Sequence, residues 1–216
     1  PEEMRAQLQL SLVRSHAAGT GPEVEEEVIR ALMLLRLSTL CTGRTGVRPV
    51  VVETYAKALN AGIVPVVREY GSLGCSGDLA PLAHCALALL GEGEVRVNGD
   101  LQDAGAALSA AGIEPLQLRE KEGLALINGT DGMLGQLCLA ITDLRAAAKT
   151  ADIATAMTVE GLLGTLVVFA DDLQQLRPHP GQADAAANIL QVAEGSEILE
   201  AALEEFKKNQ VQDAYS

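Results

Sequence analysis

Apolar residues recur at helical spacing along most of the chain. Val24, Val28, Leu32 and Leu35 share one stripe, which predicts a helix opened by Pro22 and stopped at Gly43. A second helix is predicted from Pro49 to Asn60, with Gly62 just past its end. The period changes between Glu94 and Gln102, where Val95-Arg96-Val97 alternates and Asn98-Gly99 supplies a turn, so one small β-hairpin is expected. Asp103 is placed to cap a short helix that Gly112 ends. From Asp131 to about Phe169 helical spacing returns almost without punctuation, through Leu134, Leu137, Ile141, Leu144, Ala148, Ile153, Met157 and Leu162. A helix of that length needs neighbours to bury it. Arg177-Pro178-His179-Pro180-Gly181 breaks the pattern, and helices are expected again over 182–193 and 197–207. The pattern describes a mainly α protein, a long-helix bundle with one small β-hairpin, organised as a single helical unit over residues 1–216.

At 216 residues the chain can bury a substantial core. A net charge of −13, with scattered Lys and Arg and only two Phe and three Tyr, argues against a nucleic-acid surface. Cys41, Cys75, Cys85 and Cys138 form no C-x-x-C pair and have no histidine at metal-ligand spacing, so no metal is expected. Cys41, Cys85 and Cys138 fall in apolar helical patterns and are expected to be reduced core residues, which suits the cytoplasm. The longest apolar run, near Gly161 to Ala170, is too short to span a bilayer.

The densest chemistry lies in residues 71–84, GSLGCSGDLAPLAH. Gly77 has no Cβ, so its amide nitrogen can swing back toward the carbonyl carbon of Cys75 and close a five-membered ring. Loss of water from that adduct, and of the Ser76 hydroxyl with its α-proton, leaves an imidazolone bearing an exocyclic methylidene, an electron-poor alkene. Asp78 is placed to assist the proton movements. Asp78-Leu79-Ala80-Pro81 also reads as a helix start, with Asp at the cap and Pro in the first turn. A glycine-rich turn before a helix is equally often only structural.

This stretch resembles the prosthetic-group loop of the aromatic amino acid ammonia-lyases, whose Ala-Ser-Gly or Cys-Ser-Gly triad becomes 4-methylideneimidazol-5-one. Four further stretches are similar to the same family in the expected order. They are Leu12-Val13-Arg14-Ser15-His16-Ala17-Ala18-Gly19, Gly123-Leu124-Ala125-Leu126-Ile127-Asn128-Gly129-Thr130, Arg177-Pro178-His179-Pro180-Gly181-Gln182, and Val211-Gln212-Asp213-Ala214-Tyr215-Ser216. The resemblance implies the loop region and first part of a central helix bundle of the ammonia-lyase and fumarase type. It also implies homotetramers in which long helices pair between subunits; an ordinary intrachain bundle is the alternative.

What the resemblance implies for function is elimination of ammonia from L-histidine to give trans-urocanate, through an electrophile self-formed from Cys75, Ser76 and Gly77. In histidine-specific members a histidine matching His16 lines the substrate pocket, although a lone histidine ending a helix is also an ordinary capping or core group. The asparagine matching Asn128 hydrogen-bonds the ring oxygen, where an unpaired amide in an apolar stretch would otherwise be costly; a plain helix cap is the competing explanation. Gln212 and Tyr215 match a glutamine and a tyrosine that reach the active site, commonly from a neighbouring subunit. His84 and His179 have ordinary structural explanations.

Family members are roughly twice this length, and Pro1 is no natural start, so an internal segment is expected. The catalytic base, a tyrosine on a mobile lid, is expected upstream of Pro1, and a carboxylate-binding arginine just after Ser216. Little or no turnover is therefore expected of the segment alone, with its tripeptide uncyclised or partly cyclised because packing that compresses the loop is incomplete. An aminomutase of the same family and a non-catalytic helical assembly fragment are the alternatives.

Overall fold

The computed structural model describes residues 2–74 and 77–209, with side chains described over 4–74 and 77–205. Cys75, Ser76, Gln212 and Tyr215 lie outside the described residues. The chain divides into two compact units, Pro1–Ala140 and Ile141–Ser216. In chain order the elements of the first part are α1 (Glu2–His16), β1 (Thr20–Glu23), α2 (Glu26–Cys41), α3 (Pro49–Asn60), β2 (Ile63–Pro65), β3 (Arg68–Tyr70), α4 (Leu79–Leu89), β4 (Glu94–Val97), β5 (Asp100–Asp103), α5 (Ala104–Ala110) and α6 (Glu122–Ile127). There follow α7 (Asp131–Gly161), α8 (Asp171–Gln174), α9 (Pro180–Val192) and α10 (Glu197–Asn209). The fold is mainly α, as the periodicity predicts.

The core of the first unit forms around α4. This helix is apolar at every position except His84, and a helix of that kind must be surrounded; Leu82, Ala83, Cys85, Ala86 and Leu89 are all buried. Helices α1, α3, α5 and α6 and strand β2 pack against it. Helix α2 contributes a stripe at four-residue spacing, Val28, Leu32, Arg36 and Leu40, all buried. Its start differs from the expectation. Pro22 lies in strand β1, and the helix begins at Glu26, where Glu26 and Glu27 place negative charge on its first turn.

The predicted hairpin is present, with Val97 opposite Asp100 and Glu94 opposite Asp103. Asn98 and Gly99 both adopt positive φ, 52° and 85°, as a two-residue turn of this hand requires. The hairpin is joined by β2 into an antiparallel sheet of order β2-β4-β5, with Pro65 opposite Val95 at its end. A second antiparallel pair, β1 with β3, sets Thr20 opposite Tyr70 and Glu23 opposite Arg68. Asp103 caps α5 as predicted, accepting the Ala106 N–H at 3.0 Å.

Helix α7 ends at Gly161 rather than near Phe169. Leu163, with φ of 56°, turns the chain out of the helix, and only a short 3-10 turn follows at Val167–Phe169. Leu134, Leu137, Ile141, Leu144, Ile153 and Met157 on α7 are exposed in this chain. Within the second unit, α7 is tied to the later helices by Asn188 donating to Asp152 at 2.8 Å and by a short hydrogen bond from Ser196 to Glu160. Among the described residues no helix is long and apolar enough to cross a membrane. Of the cysteines expected in the core, Cys85 is buried, whereas Cys41 at the end of α2 and Cys138 on α7 are exposed. Position 41 is the last residue of its helix, and position 138 lies on the uncovered face of α7.

Candidate active site

Between β3 and α4 the described residues flanking the triad, Leu73 and Gly77, are drawn together in a turn. It is closed by the Leu73 N–H donating to the Gly77 carbonyl at 3.0 Å. Gly77 is buried, and a Cβ built on it would run into the Gly74 carbonyl oxygen and lie 3.0 Å from the Leu73 Cβ. The turn therefore accepts only glycine at its third triad position, for reasons of space.

Asp78, 1% exposed, stands immediately before α4 but does not cap it through its side chain. This corrects the expectation of a local cap. Its Oδ1 accepts from the Ser72 hydroxyl at 2.6 Å and its Oδ2 from the Met133 backbone N–H at 2.9 Å. The carboxylate thus satisfies an orphan donor in the first turn of α7, some fifty-five residues away in sequence, and favourably places negative charge at that helix N-terminus. One side chain locks the loop on one side and the long helix on the other.

The segment between α6 and α7 completes the arrangement. Gly129 forms a parallel bridge with Gly77, and its carbonyl accepts the Asp78 N–H at 3.3 Å. Asn128, the residue before it, ends α6 in an extended conformation with its own N–H bonded to the Leu124 carbonyl. Its side chain is exposed rather than enclosed in the apolar stretch. Behind this turn lies Arg36, 4% exposed, whose Nη1 donates to the carbonyls of Asn128 (2.8 Å) and Ala125 (3.2 Å). Its Nη2 pairs with Asp131 at 2.8 Å. Burial pushes the Asp131 carboxyl up; Arg36 opposes that shift and the nearby Asp78 reinforces it, so the net change is upward. A Cβ on Gly129 would fall on the Asp131 carboxylate and the Arg36 guanidinium, so this bend needs glycine too.

His16 ends α1, with Nδ1 within 2.9 Å of the Leu12 carbonyl and 3.0 Å of the Ser15 hydroxyl. Among the described residues, the hydrogen bonds of His16 lie within its own helix. The strand that follows it, β1, pairs with β3, which leads into the loop, so the two segments share one small sheet. His84 strengthens this link from the middle of α4, accepting the Gly19 N–H at Nε2, 3.1 Å. That bond requires a neutral ring protonated at Nδ1. Burial lowers the pKa of His84, and Arg68 lowers it further. A histidine depressed in the fold destabilises it as pH falls from the unfolded value, near 6.5, through the folded one. His84→Gln keeps an acceptor but cannot titrate. It is expected to flatten the dependence of the denaturation midpoint on pH between about 7 and about 5; an unchanged slope would exclude the assignment.

Burial pushes the Cys85 thiol, beside Tyr55 in the core, up to about 12, so it stays protonated and unreactive. Among the described residues no cluster of His, Cys, Asp and Glu has the makings of a metal site. Sequence reasoning identified Gly77, Asp78 and Asn128, which the structure gathers around one bridge. It missed Ser72, Arg36 and Asp131, which hold them there.

The chain is thus mainly α, with a glycine-dependent turn clamped by Asp78 to the N-terminus of a long helix. The family model for aromatic amino acid lyases matches residues 1–216. The chain belongs to that family. It is 60% identical over its whole length to histidine ammonia-lyase of Streptomyces avermitilis, of which it covers 42%. The crystal structure of histidine ammonia-lyase from Trypanosoma cruzi superposes with a TM-score of 0.85 at 39% identity, covering 94% of this chain and 40% of that one. Tyrosine aminomutase from Streptomyces globisporus gives a TM-score of 0.85 at 42% identity, over 99% of this chain and 41% of that one. The chain spans about two fifths of the length of these relatives.

Proposed function

We propose that the full-length protein carrying this chain eliminates ammonia from L-histidine to give trans-urocanate. The observation that carries the proposal is the turn at 73–77, shut by its own backbone and without room for a Cβ at Gly77. Such a turn fits a tripeptide whose third amide must approach the carbonyl two residues before it. The 60% identity to a histidine ammonia-lyase supports the choice of substrate. Cys75, Ser76 and Gly77 would supply the atoms of a 4-methylideneimidazol-5-one. When formed, that group provides an electron-poor alkene that converts the substrate amine into a leaving group.

The protein's own residues then have separable tasks. Asp78 holds the loop at the head of α7, and the Gly77–Gly129 bridge fixes the loop against the turn that carries Asn128. Asn128 is assigned to the ring oxygen, where a neutral donor stabilises electron density without adding a charge. His16 is assigned to substrate selection, and Gln212 and Tyr215 to the pocket. A homotetramer is part of the proposal, as the family resemblance implies, and the exposed apolar residues along α7 support a second copy as the partner that covers them. The cytoplasm is the proposed compartment. The 216-residue segment by itself is expected to have little or no turnover.

The likeness to tyrosine aminomutase supports a second reading, in which the same group returns ammonia to the β-carbon. Incubating the full-length protein with L-histidine, L-tyrosine and L-phenylalanine separates the two. Urocanate and ammonia released in equal amounts from histidine are expected, with the peptide spanning residues 75–77 lighter by two waters. A β-amino acid formed without net ammonia would establish the aminomutase. An unmodified tripeptide with no product would exclude both.

A further inference from the structure

Arg36 is a full charge on the buried stripe of α2, and the proposed chemistry gives it no direct task. We propose that Arg36 is a positioning residue for Asn128, setting the direction of the Asn128 side chain by gripping its backbone carbonyl between the end of α6 and the start of α7; this rests on the lyase reading above.

The geometry is specific. Nη1 reaches two carbonyls at the C-terminal end of α6, Ala125 and Asn128, where the helix leaves acceptors without intrahelical donors and where a cation is favoured. Nη2 reaches Asp131, the first residue of α7. One rigid guanidinium therefore spans both ends of the three-residue bend 128–130, which a lysine, with a single point of attachment, cannot do. The opposite side of the same bend is bridged to Gly77 and Asp78. Asn128 thus sits on a peptide held from behind by Arg36 and in front by the loop, while its side chain remains exposed. Among the described residues, Arg36 Nε has no hydrogen-bond partner, although it is buried. A buried ion pair kept for stability alone is readily replaced by apolar packing. A partly unsatisfied arginine in this place is better explained by the shape it imposes.

The test uses the full-length protein with Arg36→Met and Arg36→Lys, alone and combined with Asn128→Ala. In R36M, kcat is expected to fall about 10- to 100-fold, the scale of misplacing one interacting group by an ångström or less, with KM changed less than about threefold. R36K should lie between R36M and the wild type. The double variant should be no slower than N128A alone, because Arg36 acts through that side chain. The mass deficit at residues 75–77 should persist, since Asp78 holds the loop independently. Hydrogen exchange over 124–133 should quicken about tenfold while α4 is unaffected. If R36M does not fold, R36K with the same measurements carries the test.

Folded variants with wild-type kcat and exchange would overturn the proposal. So would rate losses that add to those of N128A, or loss of the mass deficit, which would make Arg36 a folding or maturation residue. Wild-type protein lacking both ring and product would instead overturn the lyase reading, and with it the catalytic part of this proposal. Faster exchange in R36M would even then establish the clamp.

Discussion

Gly77→Ala is expected to leave the full-length protein without the two-water mass deficit and without measurable turnover, a loss of at least about 1,000-fold. The cause is spatial. The added methyl meets the Gly74 carbonyl oxygen and crowds the Leu73 Cβ at 3.0 Å. Both belong to the same closed turn, so neither can retreat without breaking the Leu73 N–H to Gly77 carbonyl bond that shapes it. Opening the turn moves the Gly77 nitrogen away from the residue it must attack, and it pulls on the bridge to Gly129. Ser76→Ala provides the informative companion. It removes the hydroxyl that must be lost while leaving the turn free of a clash, so it too should abolish turnover. The two differ in local order: G77A should raise hydrogen exchange over 71–78, and S76A should leave it unchanged. Retention of the mass deficit in G77A, or activity within tenfold of wild type, would refute this account of the loop.

The elements that announce themselves locally were legible in the sequence. Pro49 at the start of α3, Asp103 at the cap of α5 and Asn98-Gly99 in the hairpin each set backbone geometry within a few residues, and each lies where it was expected. Strands β1, β2 and β3 were not legible, because three or four residues such as IVP or REY are too short to show alternation. Two of them also contain proline, which speaks against a strand unless it sits at an edge or an end. Asp78 illustrates a different limit. Its helix-start context was readable, yet its carboxylate serves α7, since the Met133 N–H is brought to it only by tertiary folding. Arg36 did leave a signal. Continuing the stripe of Val28 and Leu32 by four residues reaches an arginine and then Leu40, and a charge on a core stripe demands buried partners. Which partners, Asn128 and Asp131, no local pattern states.

Glu122→Ala is expected to destabilise the chain by about 3 kcal/mol. Glu122 is 2% exposed and accepts four hydrogen bonds. They come from Arg48 Nε (2.8 Å), Arg48 Nη2 (2.7 Å), the Arg48 N–H (3.1 Å) and the Arg119 N–H (2.8 Å). Truncation strands two backbone donors in the interior, whereas the Arg48 side chain, 35% exposed, can turn to water, which keeps the loss below that of a fully enclosed pair. Burial by itself pushes the Glu122 carboxyl up, but the bonds from Arg48 and from the Arg119 and Arg48 backbones outweigh it and hold the group below its ordinary 4.5. A carboxylate depressed in the fold stabilises it fully above the unfolded value, and that stability disappears as pH falls through the folded value. Chemical denaturation should therefore show a lowered midpoint with an unchanged slope for Glu122→Gln and Glu122→Ala at neutral pH. The gap between E122Q and wild type should shrink as pH falls below the unfolded value and close once it has passed the folded one. Because Glu122 starts α6 and Asn128 ends it, the same substitutions loosen the peptide that Arg36 grips from the other end. A gap that stays constant into acid would mean that Glu122 contributes through packing rather than through its charge.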